Sequence, residues 1–222
     1  VNGARVMQDQ TWVRVQQKTF TRWCNTYLVE RMLKIDDIQK DLHDGIMLVN
    51  LLEIISSKPI RHNKRCRMPA QKLENINACL AFLKGEGIRT VNIGGEDIMN
   101  GNLKLILGLI WTIILRYQIQ ISEGASAKQE LLEWVRSKIP EYNINNFKKD
   151  WVSGKAICAL AEAVLPGQMN LPGDFSGNPV SDANMGMKKA KENMYVPALL
   201  DAAAIVYNPV ELAGMPSISY FR

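Results

Sequence analysis

The sequence predicts an all-α protein built as two tandem domains of about 100 residues each, a usual domain size. Three observations carry this. Apolar residues recur at helical spacing along the whole chain: Phe20, Trp23, Cys24 and Tyr27; Leu48, Leu51, Leu52 and Ile55; Leu73, Ile76, Leu80 and Leu83; Leu131, Leu132, Val135 and Ile139. No convincing strand alternation accompanies them. The pattern also repeats. Asp41-Leu-His-Asp-Gly45, followed by Leu48, Leu51, Leu52 and Ile55, returns 109 residues later as Asp150-Trp-Val-Ser-Gly154, followed by Ile157, Leu160, Ala161 and Val164. Between the copies, residues 122–127 read Ser-Glu-Gly-Ala-Ser-Ala, the small polar composition of an interdomain linker.

Taken in order, residues 1–11 are expected to be an N-terminal extension, 12–121 the first domain, 122–126 the linker and 127–222 the second domain. Each domain opens with a helix bearing a tryptophan, Trp23 or Trp134. Asp44 and Ser153 are natural helix N-caps, and the glycines that follow them, Gly45 and Gly154, suit a tight turn or a close helix approach. The run of residues 103–115, Leu-Lys-Leu-Ile-Leu-Gly-Leu-Ile-Trp-Thr-Ile-Ile-Leu, is apolar on every face and reads as a buried central helix. A leftover stripe on it would be a docking site. Trp111 within it reads either as core or as a latch at the seam between the domains. The second copy carries its own echo of the first, Val206-Tyr-Asn208 against Ile98-Met-Asn100. Residues 166–179, rich in Gly, Pro and Asn, are expected to form a long loop. Gly214 and Pro216 are expected to delay or break the final helix, because proline lacks the amide hydrogen and clashes with the preceding turn.

The chemistry that is missing narrows the function. No phosphate-binding Gly-x-x-x-x-Gly-Lys-Ser/Thr loop, no Gly-x-Ser-x-Gly elbow and no His-Glu-x-x-His helix occurs. An enzyme has no motif behind it, and neither a cofactor nor a metal is expected. His62, Cys66 and Cys79 lack a fourth ligand and the spacing of a zinc site. Asp36, Asp37, Asp41 and Asp44 lack the alternation and distal glutamate of a calcium loop and read as caps and solvated charges. The four cysteines are scattered, as buried thiols of a reducing compartment are, so a cytoplasmic location is expected. The longest apolar run is too short to span a bilayer. Charge is divided unevenly: residues 1–121 hold 17 Lys/Arg against 11 Asp/Glu, whereas 122–222 hold 10 against 11. An acidic partner would therefore meet the first half first. Four of those cations, Arg61, Lys64, Arg65 and Arg67, fall within seven residues and read either as a solvated loop or as an anion-binding surface, with phosphoinositide the weaker candidate partner. No aromatics are interleaved for base stacking, so nucleic acid is not expected.

Gln16-Gln-Lys-Thr-Phe-Thr-Arg-Trp-Cys-Asn25 resembles the actinin-type signature, and Leu105-Ile-Leu-Gly-Leu-Ile-Trp111 resembles the second signature of the same family. Residues 40–45, 51–53, 73–75 and 102–111 are similar to filamin and slime-mould gelation factor. The second half joins the resemblance through Leu131-Leu-Glu-Trp134, Asn146-Phe147, Asp150-Trp151 and Gly154. The resemblance implies a type 1 then type 2 pair of calponin-homology domains that binds the side of F-actin. It implies three surfaces: the opening helix, with Gln16, Gln17, Lys18, Thr21, Arg22 and Asn25; the last helix of the first domain, with Asn102, Lys104, Leu107, Ile110, Trp111 and Ile114; and the first helix of the second domain, with Lys128, Glu130 and Arg136. It further implies that the first domain carries the intrinsic affinity, and that the chain is a fragment whose full-length form crosslinks filaments as a homodimer through a C-terminal region.

Overall fold

The computed structural model describes the backbone of residues 2–120 and 126–222, and side chains from residue 10 onward. Its α-helices are α1 (Asn2–Leu28), α2 (Ile46–Ser56), α3 (Pro69–Gly85), α4 (Gly95–Met99), α5 (Leu103–Ile114), α6 (Ala127–Lys138), α7 (Lys155–Val164), α8 (Pro179–Met194), α9 (Ala202–Tyr207) and α10 (Glu211–Ser219). A π-helical turn, Leu115–Ile119, extends α5, and no strand occurs among the described residues. By contacts the chain divides into two units: residues 20–117, and residues 1–19 together with 118–222. In the first, Phe20, Trp23, Cys24 and Leu28 of α1 are buried with Leu48, Leu51 and Leu52 of α2, Ile76 and Leu83 of α3, and Ile106, Ile110 and Ile113 of α5. In the second, Leu131 and Val135 of α6, Ala156, Cys158 and Leu160 of α7, and Ala183 and Ala190 of α8 form the core. Most of the helical stripes read from the sequence lie in these cores, but Tyr27, Ile55, Leu73 and Leu80 are only half-buried, and the α8 positions were not among those read.

The duplication extends to individual hydrogen bonds. Asp41 Oδ2 accepts from the backbone N–H groups of Asp36 and Asp37, each at 2.8 Å. Asp150 Oδ2, 109 residues on, accepts from those of Asn145 and Asn146 at 2.7 and 3.2 Å. Gly45 and Gly154 stand at the starts of α2 and α7 with φ of +77° and +73°. Each also lets a neighbouring helix in. A Cβ on Gly45 would lie 2.9 Å from the Ile76 nitrogen of α3, and one on Gly154 would lie 2.5 Å from the Ala183 nitrogen of α8. Glycine is needed on both counts, turn and close approach. The glycines themselves take the cap position, while Asp44 Oδ1 and Ser153 Oγ accept from the N–H groups of Ile46 and Lys155 at 2.9 and 3.4 Å. The capping oxygens therefore come from one residue earlier than a simple N-cap.

Two expectations meet a different outcome or fall outside view. The linker residues 122–125 lie outside the described residues; Ser126 accepts from the Gln129 N–H at 3.5 Å and caps α6. The final helix is not broken: α10 runs from Glu211 to Ser219 with Pro216 inside it. Gly214, expected to weaken the helix, instead brings it close to the Phe147 carbonyl, which would sit 2.5 Å from an added Cβ. Tertiary packing of Ala213, Met215, Pro216 and Ile218 outweighs the poor helix propensity.

Candidate functional site

The implied residues of the opening helix fall into both units. Gln16, Gln17 and Lys18 belong with residues 118–222, and Thr21, Arg22 and Asn25 with residues 20–117. Lys18 is exposed, and its Nζ pairs with Asp201 at 2.5 Å. Six residues earlier, Trp12 lies under the ammonium of Lys148, 4.5 Å from the ring centroid. Neither partner was apparent from sequence. The Lys18 to Asp201 contact joins positions 183 apart, a separation for which local pattern carries no signal. Asn25 is spent on the fold, its amide donating to the Ile35 carbonyl and accepting from the Ile35 N–H, both at 2.8 Å.

On α5, Asn102 caps the helix by accepting from the Leu105 N–H at 3.4 Å. Lys104 is exposed, whereas Leu107, Ile110 and Ile114 are buried. Trp111 is half-buried and stacks on Phe20 of the same unit, with centroids 6.2 Å apart and planes 10° from parallel. The two signature segments are thus joined ring to ring. On α6, Lys128 pairs with Glu211 at 2.7 Å, Glu130 is half-buried, and Arg136 donates to the Ile144 carbonyl at 2.6 Å and to Asn145 Oδ1 at 3.0 Å. Arg136 does for Ile144 what Asn25 does for Ile35, holding the chain that follows the first helix of its repeat.

The basic loop is built on one buried amide. Asn75, fully buried in α3, accepts from the Asn63 N–H at 2.6 Å and donates to the carbonyls of Asn63 and Asp44 and to Cys66 Sγ at 3.0, 3.2 and 3.1 Å. Gln71 Oε1 accepts from the N–H groups of Arg67 and Met68 at 2.9 and 3.1 Å. Arg61, Lys64, Arg65 and Arg67 are left exposed. The thiols are set by burial: Cys79 is pushed up to about 12 and Cys158 to about 11, and Cys24 is also raised. Cys66, half-buried, is raised by burial and then by the Asp44 carboxylate. No group of three His, Cys, Asp or Glu side chains is arranged to hold a metal among the described residues.

Each of the two repeats is a helical domain that pairs buried apolar anchors with charged surface residues. The calponin homology (CH) domain family matches residues 14–119 and 125–217, and the chain belongs to that family, carrying two copies in tandem. Among curated proteins it is 36% identical to interaptin of Dictyostelium discoideum over 96% of this chain and 13% of that protein. It is 39% identical to alpha-actinin of Dermatophagoides farinae over 96% of this chain and 25% of that protein. It is 44% identical to filamin-A of Drosophila melanogaster over 72% of this chain and 8% of that protein. The chain therefore spans a quarter or less of the length of these relatives. Its fold is that of the actin-crosslinking core of Schizosaccharomyces pombe fimbrin, with a TM-score of 0.74 and 22% identity over 93% of this chain and 49% of that one.

Proposed function

We propose that the chain is an F-actin-binding module of a filamin-like crosslinking protein, a binding module rather than an enzyme, working in the cytoplasm on the actin cytoskeleton. In this reading residues 12–121 form the domain that supplies most of the contact with the filament side, and 127–222 the domain that strengthens and regulates it, joined by a linker at 122–126. One observation carries it. The two segments that resemble actinin-type signatures meet in the stacked pair Phe20 and Trp111, so Thr21, Arg22 and Lys104, which flank that pair in sequence, belong to one rigidly packed unit. Buried Leu107, Ile110 and Ile114 then act by holding α5 in place, while Lys104 offers its ammonium to an acidic surface. Crosslinking needs two filament sites, and in this reading they come from homodimerisation through other parts of a longer protein.

Co-sedimentation with F-actin across a salt series tests the proposal. The whole chain is expected to pellet with filaments at low salt and progressively less as salt screens the charges; failure to pellet at low salt overturns it. Within the intact chain, Lys104→Glu is expected to weaken binding about fivefold and Lys128→Glu less than about twofold, as rim charges do. The reverse order would move the main contact to the second domain.

A further inference from the structure

We propose that the cleft between the short helical turn Pro140–Tyr142, α7 and the loop of residues 166–175 is a docking site for a protein segment that presents an arginine between apolar residues. The cleft is open, about 540 Å3 in volume, and lies within the unit to which residues 118–222 belong. That volume falls in the range of roughly 300–1,000 Å3 usual for ligand sites. Tyr142 and Phe175 supply aromatic surface, Ala159 and Leu171 aliphatic surface, and Glu141 and Glu162 charge. No Lys or Arg lines it. Residues 156–187 hold three Asp/Glu and no Lys or Arg, in a chain whose net charge is +5.

The first repeat shows which chemistry fits this place. Its own short turn, Val29–Arg31, ends before a left-handed residue, Met32, as Pro140–Tyr142 ends before Asn143. Arg31 and Tyr142 are therefore equivalent. Asn50 and Glu53 of α2 correspond, at the 109-residue offset, to Ala159 and Glu162 of α7. In the first repeat Arg31 Nη1 donates to Asn50 Oδ1 at 2.7 Å and to Glu53 Oε2 at 2.6 Å. The second repeat keeps the glutamate but has tyrosine for the arginine and alanine for the asparagine. The place that an internal guanidinium takes in one repeat is thus open in the other, with its carboxylate retained.

Glu162 has capacity left for that guanidinium. It accepts from the N–H groups of Gly167, Gln168 and Met169, and a carboxylate offers about four acceptor sites, so one remains. Burial pushes its carboxyl up, but the three backbone donors outweigh burial and hold it below the ordinary 4.5, so it is charged at neutral pH. Glu141, exposed, adds a second carboxylate at the rim. Phe175 already has one cation near its ring, the ammonium of Lys155 at 5.2 Å from the centroid. Arginine suits the cleft better than lysine, because a planar guanidinium both stacks on aromatic faces and pairs with carboxylates in a fixed fork. Apolar residues beside it match the aliphatic wall of Ala159 and Leu171, which a guanidinium alone would leave uncovered.

The test titrates the whole chain with blocked peptides Ala-Leu-X-Leu-Ala, in which X is arginine, lysine or citrulline, the last a neutral isostere of arginine. Methyl NMR signals of Ala159 and Leu171 are expected to move. The arginine peptide is expected to bind at least about tenfold more tightly than the citrulline peptide, as a charge-assisted pair does over a neutral one, and more tightly than the lysine peptide. Glu141→Gln is expected to weaken it about threefold, and Glu30→Gln, the same change in the equivalent turn of the first repeat, to leave it within about twofold. Tyr142→Arg combined with Ala159→Asn installs the first repeat's pair beside Glu162 and is expected to abolish peptide binding without lowering the melting temperature. Absence of any shift with the arginine peptide, or equal binding of the arginine and citrulline peptides, overturns the proposal, and neither result depends on a variant folding. So does a double variant that melts as the wild type does and still binds. A wild type that dimerises in sedimentation equilibrium, while the double variant stays monomeric, would seat a second copy of the chain there and likewise overturns it.

Discussion

Asn75 and Asp182 occupy matching positions in the two repeats and fasten matching loops, accepting from the N–H groups of Asn63 and Ser176, but they are not equally well served. Each polar atom of the Asn75 amide has a partner, whereas Asp182, also buried, has one oxygen, Oδ2, without one. A buried acceptor without a partner costs about 1–3 kcal/mol. Asp182→Asn, which places an amide donor there as in the first repeat, is expected to stabilise the protein by about 1 kcal/mol in thermal melts. Asn75→Ala leaves the Asn63 N–H without its acceptor and the Asn63 and Asp44 carbonyls with only the weak Cys66 thiol donor, and is expected to cost several kcal/mol. Thiol chemistry gives a second test at this scale. Cys24, Cys79 and Cys158 are buried with raised pKa values, and Cys66 alone of the four is half-buried. Titration with a thiol reagent is expected to count one reactive cysteine in the folded protein and four after unfolding. The sequence foretold buried thiols but gave no sign that Cys66 would differ, because its exposure follows from a loop path set by Asn75.

At the scale of helices and the loops between them, two pairs of equivalent residues set the geometry. Gly45→Ala and Gly154→Ala each add a methyl group against a neighbouring backbone and force a left-handed φ on a side chain. Each is expected to cost at least about 2 kcal/mol, read as a shift in urea midpoint. Both were legible beforehand, since a glycine ahead of an apolar helix in two copies is a local pattern. Less legible were Glu53 and Glu162. Glu53 accepts from the Ile60 N–H at 2.8 Å and pairs with Arg31, and Glu162 accepts from the N–H groups of Gly167, Gln168 and Met169. Burial pushes both carboxyls up, but in Glu53 the Ile60 and Arg31 partners outweigh it, and in Glu162 the three backbone donors do, so both are held below the ordinary 4.5. Their contribution to stability is therefore fully present above about pH 4.5 and is lost as pH falls through the folded values. Denaturation midpoints measured from pH 7 to 3 are expected to fall below pH 4.5, and more gently in Glu162→Gln. A charged residue midway along an amphipathic helix reads as surface, which hid this role. Pro216 shows the opposite limit: its propensity was read correctly, and packing overrode it.

For the whole molecule, the duplicated all-helical architecture was readable because periodicity and a 109-residue offset are one-dimensional signals. The attachment of residues 10–19 was not, since Trp12 on Lys148 and Lys18 on Asp201 join distant positions. This changes how Lys18 must be tested as a filament contact. Lys18→Glu places two carboxylates together, so a loss of F-actin pelleting could arise inside the protein. Adding Asp201→Lys restores an ion pair of reversed sense. If Lys18 meets the filament, pelleting stays several-fold weaker in the double variant; recovery to wild type assigns the residue to internal structure. Trp111→Ala is expected to destabilise residues 20–117 by about 2–4 kcal/mol through loss of the stack on Phe20. A preserved melt with tighter filament binding would instead make it a latch.

The long reach of Lys18 also fixes an order of events during synthesis. Residues 20–117 contain their own core and can assemble while the second half is still being made. Trp12 and Lys18, although translated before that core, have no seat until Lys148 and then Asp201 have left the ribosome. This stretch is thus secured after the core that follows it in sequence, and Trp12 waits in solvent until Lys148 has emerged.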